Sequence, residues 1–183
     1  MRRFPQSAAL LLSSRRKRAQ FRLCKVEGKI TDIRRLSAGD AAAAAEIEKA
    51  CFSCPWSEAT LAAELSNPMN DFFGAFDGNG ILCGYIGGQT VAKETDIFNI
   101  GVLPACRRKG VGKALAERFI AEVRPKTDVI FLEVRSSNLP AINLYEKMGF
   151  VFCGLRKNYY TNPTENAFLM RLAFDGTQEY EDE

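Results

Sequence analysis

The stretch RRKGVGKALAERF, residues 107–119, combines glycines and cations where an amphipathic helix pattern begins. Backbone amides at a helix N-terminus have no partner inside the helix, and the helix dipole favours an anion there. Gly110 and Gly112 would let an oxyanion approach the backbone closely, and the neighbouring Arg and Lys side chains supply positive charge. The stretch therefore predicts a phosphate or pyrophosphate site. A tight turn with a solvated basic face is the alternative that these residues alone leave open.

Two common phosphate-binding motifs do not fit this stretch. The P-loop pattern requires Ser or Thr directly after its Gly-Lys pair, whereas Lys113 is followed by Ala114. The dinucleotide-binding fingerprint requires a third glycine where the chain has Leu115. The sequence therefore excludes these two kinds of nucleotide site, but not a phosphate site as such.

The chain contains no histidine, which removes several kinds of chemistry. Ser-His-Asp and Cys-His nucleophilic systems are excluded, as are histidine-ligated metals. Of the six cysteines only Cys51 and Cys54 form a C-x-x-C pair, and zinc would need a second pair of ligands. We interpret the cysteines as small core residues in a reducing compartment, with a redox dithiol at Cys51 and Cys54 as the alternative. Any general base must be Asp, Glu, Tyr, Lys, Cys or a bound water.

Charged residues are distributed unevenly along the 183-residue chain. Residues 1–29 hold nine of the 25 Lys and Arg residues and only one acid, so the remainder carries 16 basic and 21 acidic groups, a net charge of −5. We interpret residues 1–29 as a basic extension outside the fold: a transit peptide, a basic arm, or the result of a start codon assigned too far upstream. The net negative charge of the remainder argues against nucleic-acid binding by the domain itself. The apolar runs are too short to span a membrane.

Residues 30–174 show the alternation of strand and helix patterns expected for one domain, followed by an acidic tail over residues 175–183. The fold class predicted is α/β (α+β), with one mixed, mostly antiparallel sheet flanked by helices. The predicted strands are KITDIRRL, DFFGAFD, GILCGYIGGQTVAKE, TDIFNIGVL, DVIFLEVR, FVFCGLRKNYY and ENAFLMRLAF. The predicted helices are SAGDAAAAAEIEKACF, SEATLAAELSN, VGKALAERFIAEV and NLPAINLYEKMG.

The surroundings of the glycine stretch resemble a known family. Arg107-x-x-Gly110-x-Gly112, after a strand and before a helix, looks like the pyrophosphate loop of the GNAT superfamily of N-acetyltransferases, which binds acetyl-coenzyme A (acetyl-CoA). FNIGVLPACRRKGVGKAL, LEVRSSNLPAINLYEKMGF and LRKNYY follow in the order and spacing of its RimI-like branch, the ribosomal-protein-alanine N-acetyltransferases, and CPWSEATL also resembles that branch. The resemblance covers roughly residues 30–174 and implies the GNAT fold for this domain.

The resemblance also implies which residues carry the reaction. Glu133, the only acid in the apolar strand VIFLEVR, matches the family's general base, and Tyr145 matches the general acid that protonates the departing thiolate. Tyr159 and Tyr160 match the substrate loop. The positions that match cofactor-binding residues are Ile100, Gly101, Val102, Arg107, Arg108, Lys109, Gly110, Val111, Gly112, Lys113 and Asn138. The resemblance places the backbone of residues 100–102 along the pantetheine arm, which requires the neighbouring strand to separate there, and the loop of residues 108–113 around the pyrophosphate.

Each of these roles has a purely structural alternative. Glu133 would then be the outward residue of an alternating strand, Tyr145 a core aromatic, and Asn138 a helix cap only.

The acceptor implied by the resemblance is the N-terminal alanine of a small-subunit ribosomal protein. The expectation is a cytoplasmic, monomeric enzyme that uses acetyl-CoA and no metal, and the acidic domain suits a basic partner. Two alternatives stay open: a GNAT enzyme that acetylates another amine, such as a lysine side chain or a polyamine, and an RNA- or ribosome-binding protein that uses the basic extension.

Overall fold

The computed structural model describes residues 30–174. The expected basic extension at residues 1–29 and the acidic tail at residues 175–183 lie outside the described residues. Within the described part, one seven-stranded sheet has the order β1-β2-β3-β4-β5-β7-β6. The strands are β1 Ile30–Arg35, β2 Asn70–Asp77, β3 Leu82–Val91, β4 Glu94–Val102, β5 Val129–Arg135, β6 Val151–Thr161 and β7 Thr164–Ala173. The helices are α1 Ala41–Cys51, α2 Glu58–Ser66, α3 Val111–Val123 and α4 Leu139–Lys147.

All neighbouring strands pair antiparallel except β4 and β5, which pair parallel. A parallel pair needs a crossover connection, and α3 provides it. The mixed, mostly antiparallel sheet predicted from the sequence is therefore confirmed.

Helices cover both faces of the sheet, because neighbouring residues of a strand point to opposite faces. On one face α3 and α4 pack over a core that includes Phe73, and on the other α1 and α2 pack over a core that includes Phe72. The buried residues of α3 recur at helical spacing: Val111, Leu115, Ala116, Phe119 and Val123. This apolar stripe fixes α3 on the sheet and thereby fixes where its N-terminus points.

One predicted strand boundary is wrong. The sequence pattern continues the third strand through Glu94, whereas β3 ends at Val91, a tight turn follows at Ala92 and Lys93, and Glu94 begins β4. Both turn residues have positive φ, 49° and 69°. The Lys93 carbonyl accepts hydrogen bonds from the Thr127 hydroxyl and the Asp128 amide, at 2.8 and 2.7 Å. These contacts anchor the turn from outside the hairpin.

Candidate active site

The parallel strands β4 and β5 separate along their length. Their pairing begins at Glu94 with Val129 and ends at Ile97 with Leu132, although β4 continues to Val102 and β5 to Arg135. A register irregularity between β3 and β4, at Gly87 and Gly88, lies at the same level. Beyond Ile97 the side of β4 that faces β5 therefore has no strand partner within residues 30–174.

The predicted pantetheine-binding residues Ile100, Gly101 and Val102 lie in this separated part of β4. A chain of amides entering the gap would find backbone donors and acceptors of β4 beside it. The Val102 carbonyl already accepts hydrogen bonds from the Cys51 thiol at 3.3 Å and from Arg107 Nε at 3.0 Å. The gap is the feature that the pantetheine prediction required and that the sequence could not provide.

The glycine loop leads into α3 as predicted. Gly110 occupies the N-cap position with φ of 80°, in the left-handed region that glycine adopts readily. The Ala114 amide donates to the Gly110 carbonyl at 3.0 Å, whereas the amides of residues 111–113 have no backbone or side-chain acceptor among the described residues. A Cβ at Gly110 would meet nothing within 4 Å, so no neighbouring atom crowds the loop at this residue. The loop therefore has the form of an anion site.

The cations of the loop differ in their orientation. The Arg107 guanidinium turns back to the Val102 carbonyl and lies 3.7 Å from the Cys51 sulfur. Lys113 forms an ion pair with Glu117 at 2.6 Å. Arg107 was predicted to supply charge to the pyrophosphate; in this structure its side chain braces the loop against β4, and its role toward a cofactor stays a prediction.

Glu133 lies on β5 just past the last residue that pairs with β4. Its side chain is 23% exposed, and Oε1 forms an ion pair with Arg156 Nη2 at 3.2 Å. It opens into a cleft of about 420 Å³ on the face covered by α1 and α2. We call this cavity the acceptor cleft. It is lined by Trp56, Asp96, Ile97, Phe98, Asn99, Glu133, Arg156 and Tyr159.

Tyr145 lies on the other face, in the core under α3 and α4. Its ring packs against Phe150 with centroids 5.7 Å apart, and burial raises the pKa of Tyr145 above its ordinary value, so the phenol is protonated at neutral pH. The hydroxyl makes no hydrogen bond to another described residue. It is nevertheless not among the fully buried unpaired atoms, so a small part of the oxygen's surface stays accessible.

Asn138 caps α4, as expected if its role is to cap the helix. Its Oδ1 accepts from the Ala141 amide at 3.3 Å. The capping contact uses the side-chain oxygen and leaves the amide NH2 group available. A cofactor contact is compatible with this cap and stays a prediction.

The two tyrosines of the predicted substrate loop have different environments. Tyr159, which is 46% exposed, lines the acceptor cleft. Tyr160 is half-buried under the Arg135 guanidinium, and its hydroxyl donates to the Glu133 backbone carbonyl at 3.4 Å. Burial and the neighbouring Tyr159 raise the pKa of Tyr160 to about 12. Tyr159 is thus a wall of the cleft, and Tyr160 supports the strand that carries Glu133.

Several cleft residues had no role assigned from the sequence. Asp96 and Arg156 supply charge to the cleft, and burial together with Glu94 raises the pKa of Asp96. Trp56 and Asn99 both donate to the buried carboxylate of Glu48. Trp56 and Asn99 fall within segments that carry the family resemblance, which is the signal that could have found them.

The C-x-x-C pair does not assemble a metal site in this structure. Cys51 donates to the Val102 carbonyl, whereas Cys54 is exposed and lies 4.0 Å from the Thr161 hydroxyl. Within residues 30–174 no group of three or more Cys, Asp or Glu side chains is close enough to hold a metal ion. No helix of that part is long and apolar enough to cross a membrane.

Comparison with known proteins identifies the family. The model of the acetyltransferase (GNAT) family matches residues 41–150. The [ribosomal protein bS18]-alanine N-acetyltransferase of Escherichia coli K12 is 38% identical over 140 residues, which cover 75% of this chain and 93% of that protein. The N-alpha-acetyltransferase RimI of Mycobacterium tuberculosis is 37% identical over 142 residues, 74% of this chain and 88% of that protein.

Solved structures agree with this assignment. The crystal structure of the ribosomal-protein-S18-alanine N-acetyltransferase from Escherichia coli superposes with a TM-score of 0.73 at 35% identity, covering 83% of this chain and 99% of that one. Arabidopsis thaliana NAA60 in complex with acetyl-CoA shares the fold, with a TM-score of 0.72 at 19% identity over 79% of this chain and 99% of that one. The chain belongs to the GNAT family of acetyltransferases.

Proposed function

We propose that this acetyltransferase moves the acetyl group of acetyl-CoA to the α-amino group of an N-terminal alanine on a small-subunit ribosomal protein. The observation that carries the proposal is the gap between β4 and β5, with Glu133 on one face of the sheet and Tyr145 on the other. A base and an acid on opposite sides of a passage suit a reaction in which one partner loses a proton and the other gains one. The ribosomal acceptor is supported by the named relatives.

The cofactor would be held almost entirely by backbone groups. The residues that fit it are the unpaired edge of β4 beyond Ile97 and the free amides of residues 111–113 at the start of α3. Arg108 and Lys109, both exposed in the loop, add positive charge beside those amides. When bound, acetyl-CoA supplies an acetyl group activated as a thioester.

The protein's own residues would move the two protons. Glu133 takes the proton from the acceptor ammonium, directly or through a water, and its ion pair with Arg156 orients the carboxylate in the cleft. Tyr145, which its raised pKa keeps protonated at neutral pH, donates a proton to the departing thiolate and regains one from solvent as the thiol leaves. The amine and the thioester thus meet in the gap between the two strands.

The acceptor cleft favours a positively charged peptide end. Among the described residues that line it are two carboxylates, Asp96 and Glu133, and one cation, Arg156. Trp56 and Tyr159 supply apolar walls beside this charge. A protonated α-amino group, or a basic side chain that follows it, would be attracted to the cleft and oriented there.

A peptide panel tests the proposal. Four acceptors would be compared: three peptides of equal length, namely an Ala-initiated basic peptide, its α-acetylated form with a free lysine and a neutral Ala-initiated peptide, and a polyamine. Tandem mass spectrometry would locate the acetyl group. We expect α-acetylation of the Ala-initiated peptides, fastest for the basic one. Acetylation of the lysine side chain or of the polyamine at equal or higher rates would assign the enzyme to another amine acceptor.

A further inference from the structure

Glu48 of α1 is a fully buried carboxylate with no part in the proton transfers proposed above. Its Oε2 accepts the Trp56 backbone amide at 2.7 Å, and its Oε1 accepts the Asn99 side-chain amide at 2.9 Å together with the Tyr85 hydroxyl. It takes part in none of the ion pairs among the described residues. Three directed donors therefore stabilise this buried group in place of a cation.

The donors belong to two different walls of the acceptor cleft. Trp56 lies in the connection between α1 and α2, and its indole packs against Phe98 with ring centroids 6.0 Å apart. Asn99 lies in the part of β4 that has separated from β5. Trp56, Phe98 and Asn99 all line the cleft. The Glu48 carboxylate thus connects two walls of the cleft. One is the backbone of the α1–α2 connection at Trp56, which we call the loop wall, and the other is the Asn99 side chain on β4, which we call the strand wall.

Tyr85 completes the arrangement from β3. Burial, and then the hydrogen bond to Glu48, raise the pKa of Tyr85, so its hydroxyl stays a donor. All three partners of Glu48 are donors, which only a group with acceptors on both oxygens can satisfy. Gln at this position has the same shape but one oxygen and one NH2 group. Either orientation of that amide would set a donor against a donor, at the Trp56 backbone amide or at the Asn99 side-chain amide.

We propose that Glu48 is a positioning residue that sets the acceptor cleft by holding Trp56 and Asn99 at a fixed separation. This inference rests on the proposed function, because it takes the cleft to be the site of the acceptor peptide. It assigns Glu48 an effect on the acceptor rather than on acetyl-CoA, whose expected contacts lie in the separated edge of β4 and in the loop before α3. Loss of the carboxylate would loosen the cleft and leave Glu133 and Tyr145 in place.

Glu48→Gln tests the inference, with Glu46→Gln as the matched control. Glu46 is an exposed acid on the same helix whose partner is Lys49. For Glu48→Gln we expect the KM of an Ala-initiated basic peptide to rise about tenfold or more, as for the loss of a charge-assisted hydrogen bond. kcat at saturating peptide and the calorimetric affinity for acetyl-CoA should stay close to wild type. Glu46→Gln should behave as wild type in all three measurements.

Trp56 provides a second readout, because it is the only tryptophan in the chain. Its emission and its quenching by acrylamide report the loop wall directly. We expect Glu48→Gln to shift the emission to longer wavelength and to increase quenching, with no change in Glu46→Gln. If Glu48→Gln does not fold, Tyr85→Phe removes a single donor, and a smaller change in the same direction is expected for both KM and emission.

The outcomes separate the two levels of inference. Wild-type protein that leaves the peptide unmodified would overturn the proposed function. Wild-type activity together with an unchanged KM and unchanged Trp56 emission in a folded variant would overturn the role of Glu48 alone. A fall in kcat with KM unchanged would also contradict it, because the residue would then act on the chemical step.

Discussion

We expect Glu133→Gln to slow the chemical step without disturbing the fold or the cofactor site. Gln keeps the shape of Glu but cannot accept the proton, so kcat should fall by roughly 10²- to 10⁴-fold near neutral pH. The ion pair lost with the charge spans 3.2 Å, and its Arg156 side chain is 53% exposed. Its loss should therefore change the free energy of unfolding by less than about 1 kcal/mol.

The pH dependence of kcat distinguishes a lost base from a lost contact. With an α-amino pKa of about 8, roughly a tenth of the acceptor is deprotonated at about pH 7 and roughly nine tenths at about pH 9. The variant should therefore recover roughly tenfold over this interval, because more amine arrives without the proton that Glu133 removes. Wild type should gain less, because its base already takes that proton.

The assay is kcat against pH for an Ala-initiated basic peptide, with acetyl-CoA affinity measured by calorimetry and Glu46→Gln as the control. Acetyl-CoA affinity should match wild type in both variants. Near-normal kcat in Glu133→Gln would refute the assignment, because the residue would then be an outward strand position and nothing more. A large loss that is the same at every pH would point to displaced substrate instead of a missing base.

Three further changes follow from the same geometry. Tyr145→Phe removes only a hydroxyl that has no hydrogen bond among the described residues, so the melting temperature should hardly change. We expect kcat to fall, because the departing thiolate loses its proton donor. An unchanged kcat would mean that Tyr145 is only a core aromatic. Asp96→Asn should raise the KM of a basic acceptor peptide severalfold, by roughly the strength of one exposed charge contact. The KM of a neutral peptide should rise much less. Equal effects on both peptides would argue against charge recognition. Gly110→Ala should cost about 1–2 kcal/mol of unfolding free energy, since its φ of 80° disfavours any side chain even though no atom lies within 4 Å of the new Cβ. It should also weaken acetyl-CoA binding in calorimetry, and unchanged stability and affinity would contradict the role given to the loop.

The sequence predicts well those elements whose signals are local. The helix α3 was predicted from its apolar spacing, and the helix predicted to begin at Ser57 is confirmed as α2, which the Ser57 hydroxyl caps by accepting the Thr60 amide at 3.0 Å. The turn at Ala92 and Lys93 was missed because neither residue favours positive φ. Its anchors, Thr127 and Asp128, lie more than 30 residues further along the chain, where no local pattern reveals them.

The residues of the candidate site were likewise predictable only where their signal is local in the sequence. Motif matching located Glu133 and the loop before α3, but the gap between β4 and β5 depends on where two distant strands stop pairing. Glu48 is the clearest case of a role that stays hidden in the sequence. In AAAAAEIEKAC it looks like one of two ordinary helix acids, and only the strands carrying Tyr85 and Asn99 distinguish it from the exposed Glu46. Which side chains become buried depends on the pairing of segments that are distant in the sequence, and that pairing cannot be predicted from local composition.

The most direct test of the central claim is intact-mass spectrometry of a small-subunit ribosomal protein fraction incubated with acetyl-CoA and the purified enzyme. The fraction should come from cells lacking the enzyme, and Glu133→Gln should be run in parallel. We predict that one protein with an N-terminal alanine gains the mass of a single acetyl group, that fragmentation locates this group on the α-nitrogen, and that the variant gives little product in the same time. Acetylation confined to lysine side chains, or equal product from wild type and variant, would contradict the account.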